Sequence, residues 1–220
     1  MKEFDKRILK KLLSKEPLIL DIGCYDGKDS VEMSKLFKNC VIHCFECDKR
    51  SIKLFNQKTK DIPNIFLHEF AMSNVNGLID FYLSDSDTRR HYEGQESWSA
   101  SSSIRKPKNH IKLFEDVKFN IVEKVRSVSL DDWFSGLRYI DLIWVDVNGG
   151  EEDFIKGGIE TLLNLTKYLF IEFSDKELYE GQINKDKLLS LLGNTFEVID
   201  VYNYEGNFGN LFLKNNLLCK

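Results

Sequence analysis

The sequence contains only three prolines in 220 residues, and no stretch of it has the composition of an interdomain linker. No apolar run is long enough to cross a bilayer as a helix, so we expect no membrane span. The stretch 1–15 lacks the apolar centre of a signal peptide, and its pattern predicts an amphipathic helix over about 3–15. These absences favour one cytoplasmic α/β domain over 1–220.

Cysteine is scarce and odd in number, with five residues that form no disulfide framework. Cys44 and Cys47 form a C-x-x-C, which suits a redox pair, half of a zinc site, or two small residues at a buried strand and its end. A zinc site needs about four ligands, and no second pair of cysteines or histidines accompanies this one. We therefore favour the structural interpretation and expect no metal.

An excess of positive charge is also missing, since the net charge is −4. Bulk attraction to nucleic acid is therefore not expected. The charge is unevenly distributed, because the stretch 89–112 contains six basic residues and two acids. Such a stretch suits an anionic ligand or, equally, a solvated loop.

The most informative stretch that is present covers 18–27, which has the pattern of a buried strand ending in a glycine turn. The next apolar run, 41–45, ends on Glu46. A glycine turn lets a ligand approach the backbone closely, and an acid at the end of the following strand can bind both hydroxyls of a ribose. Together they predict a cofactor that contains a nucleoside, on a doubly wound sheet.

The spacing of the glycines narrows the choice of cofactor. Dinucleotide sites place glycine at the first, third and sixth positions of the turn, where a pyrophosphate meets a helix N-terminus. Counted from Gly23, those positions hold Tyr25 and Lys28, so a pyrophosphate would meet side chains. Gly23 and Gly27 suit a smaller ligand without phosphate, such as S-adenosylmethionine. NAD and a purely structural turn remain alternatives.

Apolar runs alternate with helical patterns along most of the chain, which predicts a parallel sheet with right-handed crossovers. Near the end, the runs 196–202 and 209–214 are joined by a short connection that contains glycine, so we expect antiparallel neighbours. That arrangement is typical of S-adenosylmethionine-dependent methyltransferases and not of dehydrogenases.

Three local patterns give further expectations. Asn76–Gly77 lies between apolar runs and predicts a hairpin into 78–83. Residues 151–165 have the pattern of a single helix. The alternation breaks at an inserted region of about 84–119, which begins with a polar, serine-rich stretch; a loop this long is usually functional or disordered.

Four blocks of the sequence resemble the FkbM family of methyltransferases. They read D-I-G-C-Y-D-G at 21–27, F-E at 45–46, A-M-S followed by glycine at 71–77, and S-L-D-D with I-D-L-I-W-V-D-V-N-G-G-E at 129–151. The resemblance implies a Rossmann-like class I fold, with a mostly parallel seven-stranded sheet, an antiparallel last strand and a small inserted hairpin or loop region. It also implies transfer of a methyl group to a hydroxyl, often on a sugar, a glycolipid or a polyketide-type product.

The sequence departs from the family pattern at three positions. Cys47 replaces the proline after Glu46, Trp144 stands where lysine is common, and Asn148 stands where glutamate is common. These departures bear on the substrate and the catalytic base, and leave the expected fold unchanged.

We assign the cofactor site from the strand ends and from the family blocks. Glu46 is expected to accept both ribose hydroxyls, Gly23 and Cys24 to line the methionine part with their backbones, and Asp21 to orient the loop or receive the amino group. The full set of predicted cofactor-binding residues is Asp21, Gly23, Cys24, Tyr25, Glu46, Cys47, Phe70, Ala71 and Asp146.

Asp146 is the predicted catalytic residue. By analogy with the fold it ends the strand that faces the transferred methyl group, where a carboxylate can take the proton of an acceptor hydroxyl. Binding of the cofactor amino group or of a metal is an equal alternative for its role. On the acceptor side we expect an inserted lid, and the candidate residues there are Trp98, Ser101, Ser102 and Glu172.

The sequence therefore predicts an S-adenosylmethionine-dependent O-methyltransferase whose acceptor is a hydroxyl of a sugar or glycoconjugate. The basic stretch 89–112 leaves an anionic acceptor open as one alternative. Two alternatives from other classes stay open. One is an NAD-linked oxidoreductase, and the other is a non-catalytic binding module on a methyltransferase fold.

Overall fold

A computed structural model describes residues 2–92, 97–136 and 138–219 of the chain. Its strands are β1 (Leu18–Ile22), β2 (Val41–Phe45), β3 (Ile65–His68), β4 (Ala71–Met72), β5 (Gly77–Asp85), β6 (Lys118–Val128), β7 (Ile140–Val145), β8 (Thr166–Ser174), β9 (Phe196–Glu205) and β10 (Phe208–Asn215). Its helices are α1 (Leu9–Leu12), α2 (Lys28–Leu36), α3 (Lys49–Thr59), α4 (Asp87–Tyr92), α5 (His110–Leu113), α6 (Leu130–Trp133), α7 (Glu151–Gly157), α8 (Ile159–Leu165) and α9 (Lys185–Leu192). In this part of the chain, no helix has the length and apolarity that crossing a membrane requires.

The main sheet has seven strands in the order β3-β2-β1-β7-β8-β10-β9. The pairs among β3, β2, β1, β7 and β8 are parallel, whereas β10 is antiparallel to both of its neighbours. The predicted mostly parallel sheet with an antiparallel last strand is therefore confirmed. The strand order reverses between β1 and β7, and open α/β sheets bind ligands at the carboxyl ends of the strands around such a point.

The central strands β1 and β7 are buried along their whole length. Their apolar runs are nearly continuous because helices cover both faces of the sheet. Leu20 and Ile143 belong to a core cluster that includes residues of α7, α8 and α9, whereas Ile19 and Leu142 belong to a second cluster with residues of α1, α2 and α3. Packing on both faces fixes the ends of β1 and β7 side by side, and those ends carry the site.

A second, smaller sheet has the strand order β4-β6-β5. The hairpin predicted at Asn76–Gly77 is wrong, because β6 lies between the strand before the turn and the strand after it. Nine-residue β5 pairs in antiparallel fashion with most of β6, a far longer ladder than two-residue β4 could offer. The turn is held instead by the Asn76 side chain, which accepts the Ser129 N–H at 2.8 Å and donates to Asp132.

Two predicted helices differ from the structure. The N-terminal helix is short, a 3-10 turn at Lys6–Ile8 followed by α1, because Phe4 leaves the helical path and packs among Trp144, Phe170 and Phe212. The helix predicted over 151–165 is two helices, α7 and α8, that meet at Gly158. A glycine in a helix interior lowers helical stability by about 1 kcal/mol, which favours a break there.

Candidate active site

A cavity of about 280 Å³ lies at the carboxyl ends of β1, β2 and β7. Every residue that the sequence predicts to bind the cofactor lines this cavity. These residues are Asp21, Gly23, Cys24, Tyr25, Glu46, Cys47, Phe70, Ala71 and Asp146. The fold thus brings the four sequence blocks together at the point where the strand order reverses.

The glycine turn at the end of β1 is shaped by close packing. Gly23 has φ of +78°, and a Cβ there would lie 1.8 Å from the backbone oxygen of Asp146. Gly27 has φ of +76°, and a Cβ there would lie 2.7 Å from the ring of Phe55. Glycine at both positions lets the loop pass directly over the end of β7 and begin α2, so the loop backbone forms one wall of the cavity.

The Glu46 carboxylate is held by backbone donors. Its Oε1 accepts the N–H groups of Cys47 and Asp48, both at 2.7 Å, and its Oε2 accepts the N–H of Tyr25 at 3.1 Å. Burial raises the pKa of Glu46 to about 7, while these N–H groups favour the charged form. A carboxylate has about four acceptor positions, and three are filled. The position left on Oε2 can take one ribose hydroxyl, so binding of both hydroxyls requires the loss of one N–H bond.

Two further carboxyls stand at the ends of β1 and β7. Burial raises the pKa of Asp21 to about 7, although Ser30 Oγ donates to Asp21 Oδ2 at 2.5 Å. Desolvation by the surrounding protein raises the pKa of Asp146 to about 6, and the charge of Asp29 adds to the shift. Asp146 nevertheless remains reachable from the cavity, and its backbone N–H is anchored to Ile22 by a 2.9 Å bond. Both groups therefore titrate near neutral pH.

The cavity is rich in acid. Five of its lining side chains are carboxylic acids and one, Lys28, is a base. Asp29 is among these acids and was missed by the sequence reasoning, because an acid in the first turn of a helix is explained by the helix dipole alone. Asp29 also pairs with Lys6 at 2.5 Å, which ties the N-terminal segment to the rim. Such a cavity attracts a cationic ligand.

The serine-rich stretch, which the structure describes from residue 97 onward, forms part of the cavity wall. Ser102 Oγ donates to Asp48 Oδ2 at 3.1 Å, and Ser99 shares a 2.8 Å bond with Ser51. Ser103 Oγ donates to the backbone oxygen of Asn148 at 2.7 Å. These bonds attach the stretch to α3 and to the end of β7. Ile104, an apolar residue in this polar stretch, also lines the cavity and was not singled out from the sequence.

The candidate acceptor residues of the inserted region fall in different places. Ser102 lines the first cavity, and Ser101 lines a second cavity described below. Trp98 belongs to the lining of neither cavity, and its indole N–H lies 3.3 Å from Ser101 Oγ. The Trp98 ring packs against the Arg89 guanidinium instead. The position of Trp98 therefore gives no support to its predicted role in binding the acceptor.

The basic stretch 89–112 is largely neutralised by acids from elsewhere in the chain. The pairs are Arg89 with Asp116, Arg105 with Glu152 and Asp153, Lys106 with Glu180, and Lys108 with Glu177. The stretch joins neighbouring elements by these ion pairs. Four of its six basic side chains are therefore paired with acids, which weakens the reason for expecting an anionic ligand.

A second cavity of about 150 Å³ lies beside the first, at the carboxyl end of β8. Glu172, the remaining candidate acceptor residue, lines it, and Asn148 lines both cavities. Burial raises the pKa of Glu172 well above its usual range, and Asp146 and Glu151 add to the shift. The shift favours the protonated form of Glu172, which can both donate and accept a hydrogen bond.

The two cysteines of the C-x-x-C lie in different environments. Cys44 is fully buried on β2, 3.0 Å from Ser30 Oγ, whereas Cys47 is half-buried and lines the first cavity. Across residues 2–92, 97–136 and 138–219, no group of three or more histidine, cysteine or acidic side chains is arranged to hold a metal ion.

Comparison with known proteins identifies the family. A family model described as the methyltransferase FkbM domain matches residues 21–206. The chain belongs to the FkbM methyltransferase family. It is also 39% identical over 215 residues to the 2-O-methyltransferase NoeI of Sinorhizobium fredii, a match that covers 97% of this chain and 85% of that protein. The resemblance read from the four sequence blocks is therefore confirmed.

Solved structures show the same fold as this FkbM-family chain. A methyltransferase FkbM from Methylobacillus flagellatus superposes with a TM-score of 0.58 at 12% identity, over 96% of this chain and 48% of that one. The present chain thus spans about half the length of that protein. An rRNA methylase from Streptococcus thermophilus superposes with a TM-score of 0.50 at 14% identity, over 94% of this chain and 91% of the other. At these identities the likeness shows a shared fold.

Proposed function

We propose that this FkbM-family chain transfers a methyl group from S-adenosylmethionine to a hydroxyl group of a sugar or glycoconjugate. The observation that carries the proposal is the acid-rich cavity at the switch point of the sheet, with Glu46 at the end of β2. The printed name of the relative NoeI, a 2-O-methyltransferase, supports a hydroxyl acceptor. Membership in a methyltransferase family speaks against the NAD-linked alternative.

The cavity fits the proposed cofactor in charge and in hydrogen bonding. S-adenosylmethionine has a positive sulfonium and a positive ammonium group, and the cavity offers five carboxyls against one lysine. Glu46 Oε2 has an acceptor position left for a ribose hydroxyl. The loop at Gly23 and Cys24 would hold the methionine part, and Phe70 and Ala71 would lie against the adenine.

The chemistry demands little covalent help from the protein. When bound, S-adenosylmethionine supplies an electrophilic methyl group on a positively charged sulfur. The protein must hold the acceptor oxygen in line with that methyl and sulfur, which is a matter of proximity and orientation. We assign Asp146 as the group that accepts the hydroxyl proton while the new oxygen–carbon bond forms, a contribution of typically about 10²–10⁴-fold. If Asp146 instead binds the cofactor ammonium, replacing Asp146 should mainly weaken cofactor binding.

The proposal is tested first by measuring cofactor binding and then by measuring methyl transfer. Calorimetry with S-adenosylhomocysteine measures cofactor-site affinity, and mass spectrometry of a panel of methyl pyranosides incubated with S-adenosylmethionine detects methylated product. We expect binding together with methylation of at least one sugar. Binding without methylation of any sugar would favour the non-catalytic module. Nicotinamide fluorescence with NADH serves as the control, and we expect no change in it.

A further inference from the structure

The second cavity has the mixed lining that sugar-binding sites use. Its apolar wall includes the rings of Phe114, Tyr179 and Phe208. Polar side chains interrupt that wall, above all those of His110, Glu172 and Gln182. Aromatic faces accept the C–H surface of a sugar ring, while planar polar groups accept and donate to its hydroxyls.

His110 is the clearest sign that a ligand belongs there. Its side chain is 5% exposed, and its Nδ1 has no hydrogen-bond partner among the described residues. Burial lowers the pKa of His110 to about 4, so the imidazole is neutral at physiological pH. The ring is fixed by Phe114, Phe119 and Tyr179, with centroids 4.8, 5.3 and 5.4 Å away. Buried polar atoms in native proteins are generally paired, so this nitrogen is available for a hydrogen bond that none of the described residues makes.

Glu172 and Gln182 offer complementary groups. Among the described residues, the Glu172 carboxyl has no hydrogen-bond partner, and the rise in its pKa favours the protonated form. Gln182 Oε1 accepts the N–H groups of Leu178 and Tyr179 at 3.0 and 3.3 Å, which fixes the amide and leaves its NH₂ group to donate. The cavity thus presents neutral donors and acceptors on rigid side chains.

The charge around this cavity selects against anions. None of the described residues that line it is a lysine or an arginine, and the carboxyls of Asp146 and Glu151 are close enough to raise the pKa of Glu172. A carboxylate or phosphate on the ligand would meet these acids without a cation to offset the repulsion. A neutral ring avoids that penalty.

The position of the cavity relates it to the cofactor site. Asn148 lies on the wall that the two cavities share, and it is held there by two bonds. Its Nδ2 donates to the Ala100 oxygen at 3.1 Å, and its backbone oxygen accepts the Ser103 hydroxyl at 2.7 Å. Because Asn148 lines both cavities, a ring in the second cavity would border the cofactor cavity, which Asp146 also lines.

We propose that the second cavity binds the acceptor as an uncharged sugar ring, with His110, Glu172 and Gln182 as partners of its hydroxyls. This inference rests on the proposed function and narrows its substrate class. It assigns acceptor recognition to β8, α5 and the loop at 178–182, and replaces the anionic acceptor that the basic stretch suggested.

The experiment measures steady-state kinetics with the neutral methyl pyranosides and with the methyl glycoside of glucuronic acid. We expect at least about tenfold higher kcat/KM for a neutral sugar than for the uronate. His110→Phe and Glu172→Gln should each raise the KM for the sugar about tenfold, the usual effect of losing one buried hydrogen bond. The affinity for S-adenosylhomocysteine should change less than twofold. Glu115→Gln, at an exposed acid that follows α5, is the matched control and should leave both values unchanged.

Two outcomes would overturn the proposal: sugar KM values in both variants that match the control, or a preference for the uronate. If the wild-type protein methylates no sugar, the proposed function fails, and saturation-transfer NMR of the same pyranosides then tests the cavity separately. Sugar signals that are present in the wild type and disappear in the folded His110→Phe variant would support sugar binding in the second cavity, even though no methyl transfer was found. Absence of these signals in the wild type would overturn both the proposed function and the proposed sugar site. Glu172→Gln preserves shape and serves if His110→Phe does not fold.

Discussion

The backbone N–H of Tyr25 donates to Glu46 Oε2 at 3.1 Å, so the glycine loop after β1 is tied to the acid at the end of β2. Tyr25 itself has φ of +49°, a conformation that costs a non-glycine residue free energy. The bond helps to hold that conformation, and it fixes the loop backbone and the Glu46 oxygen proposed to bind the ribose in one arrangement before any ligand arrives.

Glu46→Ala should abolish measurable cofactor binding. The substitution removes the ribose partner and leaves the N–H groups of Tyr25, Cys47 and Asp48 without their acceptor. Loss of a charged hydrogen bond alone weakens binding by about 1.5–3 kcal/mol, or roughly 10- to 150-fold. Calorimetry with S-adenosylhomocysteine measures the effect. Glu69→Ala, an exposed acid beyond β3, is the control and should bind normally. Unchanged affinity in Glu46→Ala would remove the ribose role.

Asp146→Asn should lower kcat by about 10²–10⁴-fold while changing cofactor affinity far less, because the amide cannot accept the hydroxyl proton. The pKa of Asp146 is raised to about 6, and the base must be deprotonated to act. The rate of the wild-type enzyme should therefore rise with pH through about 6, and the variant should lose that limb. A variant with wild-type turnover would contradict the assignment, and one whose main defect is cofactor affinity would assign Asp146 to the ammonium group.

The lining of the first cavity, the proposed cofactor site, could be predicted from the sequence because its residues follow directly from strand ends. Asp21, Glu46 and Asp146 each come at or just after the carboxyl end of a parallel strand, and a doubly wound sheet gathers such ends at one edge. The acceptor half depends on contacts over long sequence separations. His110 and Gln182 carry no local signal, and only the packing of α5 against the 178–182 loop places them with Glu172.

The basic stretch 89–112 also shows that contacts between distant parts of the chain cannot be predicted from local sequence. Its composition suggested a surface for anions, but Arg105 bonds to Asp153 Oδ2 at 2.7 Å and to Glu152 Oε2 at 3.0 Å. These acids lie on α7, about 50 residues away in sequence, where composition alone could not place them. The hairpin at Asn76–Gly77 failed for a similar reason, since the strand that pairs with β5 comes from far later in the chain.

His68→Phe should reduce the loss of stability on acidification. His43 Nδ1 and His68 Nε2 share a 2.9 Å hydrogen bond beside Phe45 and Trp133. Burial, with His43 adding to it, lowers the pKa of His68 to about 4 from about 6.5 in the unfolded chain. The pKa of His68 is lower in the folded chain than in the unfolded chain. The stability that neutral His68 contributes is therefore fully present above pH 6.5 and is lost as the pH falls toward 4. Urea unfolding at pH 7.5 and 5.0 should show a smaller difference in the variant, and an equal difference would argue against the pair.

Gly23→Ala should destabilise the fold more than a glycine substitution elsewhere with the same backbone conformation. Gly23 has φ of +78° and Gly206 has φ of +67°, so alanine is strained at both, by about 1–2 kcal/mol. At Gly206 a Cβ meets nothing within 4 Å, whereas at Gly23 it would lie 1.8 Å from the Asp146 oxygen. Gly206→Ala therefore measures backbone strain alone, and the additional loss of unfolding free energy in Gly23→Ala measures the close approach of the loop to β7.

Because β1 and the loop must shift to relieve the clash, Gly23→Ala should also weaken S-adenosylhomocysteine binding, while Gly206→Ala should not. Equal unfolding free energies and equal affinities in the two variants would show that the loop does not need to lie against Asp146.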